Sequence, residues 1–134
     1  MYLIDTNIFL EMLLDQERAK ECENFLVKVE QGEISAVLTS FSLHSIAVIL
    51  EKLKDINAYE EFLKVILNLK GLVVYSTNPG DEIEVCKIAK KFNLTFDDAL
   101  QYYVANLFKL KLISFDSDFD KTDIERIEPG EIVN

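Results

Sequence analysis

The chain has 134 residues, 49% of them hydrophobic, with only four Gly and two Pro. That size and composition point to one domain over residues 1–134 with a sizeable core, and exclude a disordered or low-complexity chain. A formal net charge of −10 argues against a protein that holds phosphate backbones on a broad basic face. The acids are either a solvated surface or a group that converges on a divalent cation. No stretch approaches the ~20 apolar residues of a membrane span. No basic, then apolar leader opens the chain, so a cytoplasmic protein with no membrane partner is expected. Cys22 and Cys86 stand far apart, without His or Cys at ligand spacing, and read as two reduced thiols on helices.

Taken in order, Tyr2-Leu3-Ile4 is a short apolar run that ends in Asp5, the pattern of a buried parallel strand delivering an acid at its carboxyl end. Thr6 is placed to cap a short helix reaching about Leu14. Residues 15–31 form a charged amphipathic helix, with Gly32 as its C-cap. Residues 34–38 make the second strand, ending at Thr39-Ser40. Residues 42–53 and 57–70 make two helices, the second closed by Gly71. Residues 72–75 form the third strand. Asn78-Pro79 pairs an N-cap with Pro at the first helical position and opens a helix to about Phe92. Residues 95–109 form the next helix and 111–115 the fourth strand, which ends in Asp116. A turn or short helix at 117–121 and an edge strand at 124–128 follow, the latter terminated by Pro129 and Gly130. Strands separated by helices predict an α/β fold with a central parallel sheet and helices on both faces.

In such a sheet, ligand sites lie outside the carboxyl ends of the strands. Asp5 and Asp116 end strands, and Asp98 lies in the first turn of a helix. Carboxylates that meet at one sheet edge repel one another, and hard divalent cations such as Mg²⁺ or Mn²⁺ relieve that repulsion. A metal held there can activate water and assist an in-line displacement at phosphorus. Each acid also has a purely structural use. Thr95 to Asp98 fits a capping box, Asp97 suits a helix N-terminus, Asp116 and Asp118 suit a turn, and Asp5 can form an Asx turn with Asn7.

Leu3-Ile4-Asp5-Thr6-Asn7-Ile8-Phe9, Asp98-Ala99-Leu100 and Ile113-Ser114-Phe115-Asp116-Ser117-Asp118-Phe119 together resemble the three best-marked motifs of the PIN domain family, in the right order and over essentially the whole chain. The resemblance implies a three-layer α/β/α sandwich and a metal-dependent ribonuclease that cleaves RNA phosphodiesters. It also implies the toxin half of a VapC-type toxin–antitoxin pair, with an antitoxin as partner and a homodimer as the assembly. Carried over, Asp5, Asp98 and Asp116 are the catalytic acids and hold Mg²⁺ or Mn²⁺. Asp118 supports them at the metal, and Thr6, Asn7, Ser40 and Ser114 orient the carboxylates.

One departure from the family pattern stands out. The acid that family members carry in the helix after the second strand would fall near Ser45 or Ile46, and none is there. Glu51 lies about a turn and a half further on. His44, the chain's one histidine, sits in this gap. It reads as a partly buried helix residue hydrogen-bonded to backbone, with a role at the site as the alternative.

Two other functions compete with a nuclease. A PIN-like nucleic-acid-binding or interaction module fits the missing acid and the negative charge. A receiver-like or phosphatase-like protein would use Asp5 as phosphoryl acceptor, with Lys121 as its nearest phosphate clamp. Lys87, Lys90, Lys91, Lys109 and Lys111 are candidate phosphate contacts or simply solvated. Tyr102 and Tyr103 either stack on a base or join the core. Ile46, Ile49, Leu50, Leu53, Phe62 and Val65 form either a self-association face or core, which periodicity does not separate.

Overall fold

The computed structural model describes residues 1–133. Its elements run β1 (Tyr2–Ile4), α1 (Thr6–Leu13), α2 (Ala19–Glu30), β2 (Ala36–Thr39), α3 (Ser40–Lys52), α4 (Ile56–Leu67), β3 (Leu72–Tyr75), α5 (Pro79–Phe92), α6 (Phe96–Phe108), β4 (Lys111–Ile113), a 3₁₀ turn (Ser117–Lys121), β5 (Arg126–Ile127) and α7 (Gly130–Val133). The strands form one parallel sheet in the order β3-β2-β1-β4-β5. The chain lays strands outward from β1 on one side, then returns to build on the other. β1 and β4 therefore meet where the winding reverses, which is where open α/β sheets place their crevices.

Alternation along the strands fills both faces. Leu3, Val37 and Leu112 pack with Val85 of α5 and with Leu100 and Val104 of α6. Ile4, Leu38 and Ile113 point the other way, onto α1 to α4. Side chains of successive strand residues point to opposite faces, so three apolar residues in a row are what a sheet covered on both sides requires. This is the expected α/β/α sandwich. On the α1–α4 side Phe9 meets Phe62 edge to face, with ring centroids 5.2 Å apart. Deleting such a buried ring costs about 3–5 kcal/mol.

Several boundaries differ from the sequence reading. Asp5, not Thr6, caps α1: its side chain accepts from the Thr6 N–H. The second helix begins at Ala19 rather than at residue 15, because Asp15 sits at φ 48° and turns the chain. Gly32, at φ +78°, lies just past the Gln31 C-cap, as expected of a glycine there. Gly71 does not close α4, which ends at Leu67. A Cβ at Gly71 would lie 2.1 Å from the Ile34 carbonyl oxygen, so close backbone approach is what demands glycine there. β4 and β5 are shorter than expected, and Gly130 starts a helix instead of ending a strand. Of the apolar residues that periodicity left open, Ile46, Leu50 and Phe62 are core, Ile49 is half-buried, and Leu53 and Val65 are exposed. No helix among the described residues is long and apolar enough to cross a membrane.

Candidate metal centre

β1 and β4 end side by side, with Ile4 opposite Ile113 and the Asp5 N–H donating to the Ile113 carbonyl at 2.9 Å. That pairing brings residues 5 and 116 to one edge. Asp5 is only 4% exposed. One carboxylate oxygen accepts from the Thr6 N–H at 2.8 Å and the other from the Ser114 hydroxyl at 2.6 Å. Ser114 Oγ in turn accepts from the Asp116 N–H at 2.9 Å and from Asn7 Nδ2 at 3.4 Å. Ser114 thus ties together the exits of both strands. Burial is the main reason the Asp5 carboxyl is pushed up to about 6; the Ser114 hydrogen bond opposes the rise, and the charges of Asp97 and Asp116 add to it.

Asp116 is half-buried and caps the 3₁₀ turn by accepting from the Asp118 N–H. Asp98 arrives from the other direction, in the first turn of α6, where its N–H donates to Thr95 Oγ1 at 3.2 Å. The capping reading of this segment is therefore correct for the backbone. It does not use the Asp98 carboxylate, which is 8% exposed and turned toward the other acids. Burial first, then the charges of Asp116, Asp5 and Asp97, push it up to about 7. Carboxylate oxygens of Asp98, Asp116 and Asp118 lie within 4.8 Å of one another. Asp5 is not one of that close set, although its charge is felt by Asp98. Among the described residues, no Lys or Arg forms an ion pair with Asp5, Asp97, Asp98, Asp116 or Asp118.

This donor set fits a hard divalent cation. It consists of carboxylate oxygens alone, it carries excess negative charge, and the neighbouring Asn7 Oδ1 is a buried acceptor with no partner among the described residues. Hydroxyls and amides hold the acids in place without neutralising them.

Behind the acids lies a buried polar wall that sequence reasoning missed. Thr6 Oγ1 is 2.8 Å from Ser42 Oγ, which is 3.1 Å from Thr39 Oγ1 and accepts from Gln101 Nε2 at 2.9 Å. Gln101 Nε2 also lies 3.3 Å from Asp97 Oδ1. Ser42 and Gln101 are fully buried. The expected Ser40 is half-exposed at the head of α3 and takes no part in this network; Ser42 occupies the place assigned to it. A signal was available: Gln101 interrupts the apolar run Ala99-Leu100-Gln101-Tyr102-Tyr103-Val104, four residues after Asp97 and so on the same helix face.

The remaining candidates separate clearly. His44 and Glu51 are exposed on α3, so His44 is neither the partly buried residue expected nor a member of the acid cluster. Tyr103 donates to Asp81 at 2.6 Å and Tyr102 to Asp123, so both rings are anchored rather than free to stack. Lys87 pairs with Glu84 and Lys111 with Glu125, while Lys91 lies over the Phe92 ring. Lys90 and Lys109 are exposed. Lys121 donates to the Asn93 carbonyl at 3.1 Å, joining the 3₁₀ turn to the turn before α6.

The PIN domain family model matches residues 2–125, and the chain belongs to that family. No curated protein matches the sequence. Among solved structures, the fold is similar to that of VapC20 of Mycobacterium tuberculosis, a sarcin–ricin loop cleaving toxin, with a TM-score of 0.80 at 13% identity, covering 96% of this chain and 100% of that one. It is also similar to a chain of the Rickettsia felis VapBC2 complex bound to a DNA fragment from its promoter (TM-score 0.74, 14% identity, 95% and 97% covered). A Klebsiella pneumoniae toxin–antitoxin complex gives 0.68 at 18% identity, with 96% and 98% covered.

Proposed function

We propose that the chain is a metal-dependent endoribonuclease, the toxin of a type II toxin–antitoxin pair, acting in the cytoplasm as a single domain over residues 1–134. The observation that carries this reading is the gathering of Asp98, Asp116 and Asp118 at one sheet edge beside buried Asp5, with no ion pair to a basic side chain among the described residues. Mg²⁺ or Mn²⁺ is the cation of choice for such oxygen ligands. When bound, it supplies the charge that polarises a phosphodiester and acidifies water beside it. Asp98 and Asp116 would hold the cation, with Asp5 and Asp118 flanking them. Ser114 fixes the Asp5 carboxylate and the Asp116 backbone together, so loss of its hydroxyl misplaces both. Thr6 and Asn7 hold the start of α1 against this edge through Ser42 and Ser114.

The toxin reading is supported by family membership and by the toxin–antitoxin complexes among the structural neighbours. An antitoxin protein and a second copy of the chain are the partners proposed. Exposed Val48, Leu53 and Val65 on α3 and its surroundings favour the latter.

The test is cleavage of single-stranded RNA by purified protein with Mn²⁺, with chelator, and with Asp5→Asn. Cleavage should require the metal and be lost in the variant. Cleavage that survives Asp5→Asn would point to a contaminant and overturn the reading. A second reading, a PIN module with little catalysis, draws on one observation: α3 carries no acid at His44-Ser45-Ile46. Metal binding without RNA cleavage would favour it.

A further inference from the structure

Asp97 has no counterpart among the acids that the motifs single out, and its surroundings are unusual. It is half-buried, forms no ion pair among the described residues, and is bound through Gln101 to Thr39 and Ser42, at the end of β2 and the start of α3. Its negative charge disfavours ionisation of both Asp5 and Asp98. Two residues earlier, Thr95 already caps α6, so Asp97 is not needed to satisfy the helix start. Partial burial of an uncompensated acid is costly, and a chain retains one where something else balances it.

Gln101 supplies the second observation. Its side chain is wholly buried, and its carboxamide reaches the acid cluster at Asp97. The amide nitrogen serves Thr39, Ser42 and Asp97, while Oε1 is buried without any partner among the described residues. An amide in this orientation gives both N–H groups to acceptors and sacrifices its own acceptor. That arrangement fixes one Asp97 carboxylate oxygen against the Thr39–Ser42 wall through the amide.

We infer that Asp97 serves the cation site as an outer carboxylate, held in place by Gln101, so that α6 supplies the acid that α3 lacks. This rests on the metal-site reading above. Asp97 is not in the set of acids whose oxygens approach within 4.8 Å, so its role is to accept hydrogen bonds from the waters that Mg²⁺ or Mn²⁺ keeps, and to add charge to the site. It is a positioning residue. Gln101 in turn couples the Asp97 carboxylate to the Thr39–Ser42–Thr6 wall and through it to the residue after Asp5.

The test measures Mn²⁺ affinity directly, by electron paramagnetic resonance of free Mn²⁺, on folded wild-type, Asp97→Asn, Asp97→Glu, Gln101→Met and Asp98→Asn proteins. Asp97→Asn should bind Mn²⁺ about 10–100-fold more weakly, as loss of an outer partner does at metal sites. Gln101→Met should weaken binding about tenfold, and Asp97→Glu should stay within a few-fold of wild type. Asp97→Ser, which keeps a residue suited to a helix start, is measured in place of Asp97→Asn if that variant does not fold, with the same expected loss. Affinity within about twofold of wild type in Asp97→Asn or Asp97→Ser, alongside loss of binding in Asp98→Asn, would overturn this inference and leave the metal site standing. Absence of Mn²⁺ binding by the wild type would overturn both.

Discussion

Two clusters of acids in this molecule are built on opposite principles. Near the C-terminal end, Glu128 accepts from Arg18 at 2.8 Å and from Arg126 at 3.2 Å, Arg126 also holds Asp120 at 2.9 Å, and Arg18 pairs with Glu21. Arginine hydrogen bonds are the main reason that Glu128 and Asp120 are held below the usual carboxylate range. At the strand ends, Asp5 receives only neutral donors and the Asp98 carboxylate receives none among the described residues; they are pushed up to about 6 and about 7, chiefly by burial. The first cluster sets two arginines against three acids, each acid paired, and fastens α2, β5 and α7 together. The second is organised but not neutralised, which leaves its charge for something from outside to balance. The two touch at Ser114: its hydroxyl serves Asp5 and its carbonyl accepts from Arg126 at 3.1 Å.

Removing one charge from each cluster should therefore have opposite consequences. Asp98→Asn should lower RNA cleavage by on the order of a hundredfold or more, the scale of losing a main electrostatic group of an active site. The same change should raise the melting temperature of metal-free protein at pH 7.5. Glu128→Gln should leave cleavage within about twofold of wild type and lower the melting temperature. Parallel cleavage assays and melts on the two variants read this out, and changes of the same sign in stability would break the contrast.

Acid should sharpen it. For Asp5 and Asp98 the folded-state pKa lies above the unfolded value, so the folded protein binds more protons than the unfolded chain between about pH 4 and 7. Stability then falls as pH rises through that window. Metal-free protein should gain on the order of 2 kcal/mol on going from pH 7.5 to 5. Below about pH 4 the sign reverses, because Glu128, Asp120 and Asp81, held low by their partners, begin to be protonated. Denaturant midpoints across pH 3 to 8, in chelator, test this.

Ser114→Ala should cost about 1–3 kcal/mol at pH 7.5 by leaving an oxygen of buried Asp5 unpaired, and less at pH 5, where Asp5 is largely protonated. Smallest is Arg18→Ala. Its side chain is 40% exposed, so the loss should be no more than about 1 kcal/mol and should shrink further in high salt.

Much of this was legible from the chain. Apolar runs of three or four residues broken by longer amphipathic stretches announce a parallel sheet covered on both faces, with Asp5 directly after one strand; Asp116 lies three residues past the other, which ends at Ile113. What escaped notice depends on rotations that spacing does not give. Ser40 and Ser42 differ by about 200° around a helix, so choosing between them requires knowing where α3 starts; it starts at Ser40, which turns Ser42 inward. The local use expected of Asp5 is an Asx turn with Asn7; instead it caps α1, because the chain leaves the strand and enters the helix without a loop. Gln101 was passed over because a single amide in an apolar helix carries no motif. Two of its three partners, Thr39 and Ser42, lie about sixty residues away.

The most direct measurement is the melting temperature of metal-free wild-type protein at pH 7.5 as Mn²⁺ is added. Balancing the uncompensated acids should raise it progressively with the logarithm of free Mn²⁺ once the site begins to fill, by mass action. The rise should vanish in Asp98→Asn and persist in Glu128→Gln. A melting temperature that stays flat, or an equal rise in both variants, would mean that the acids at the strand ends hold no cation.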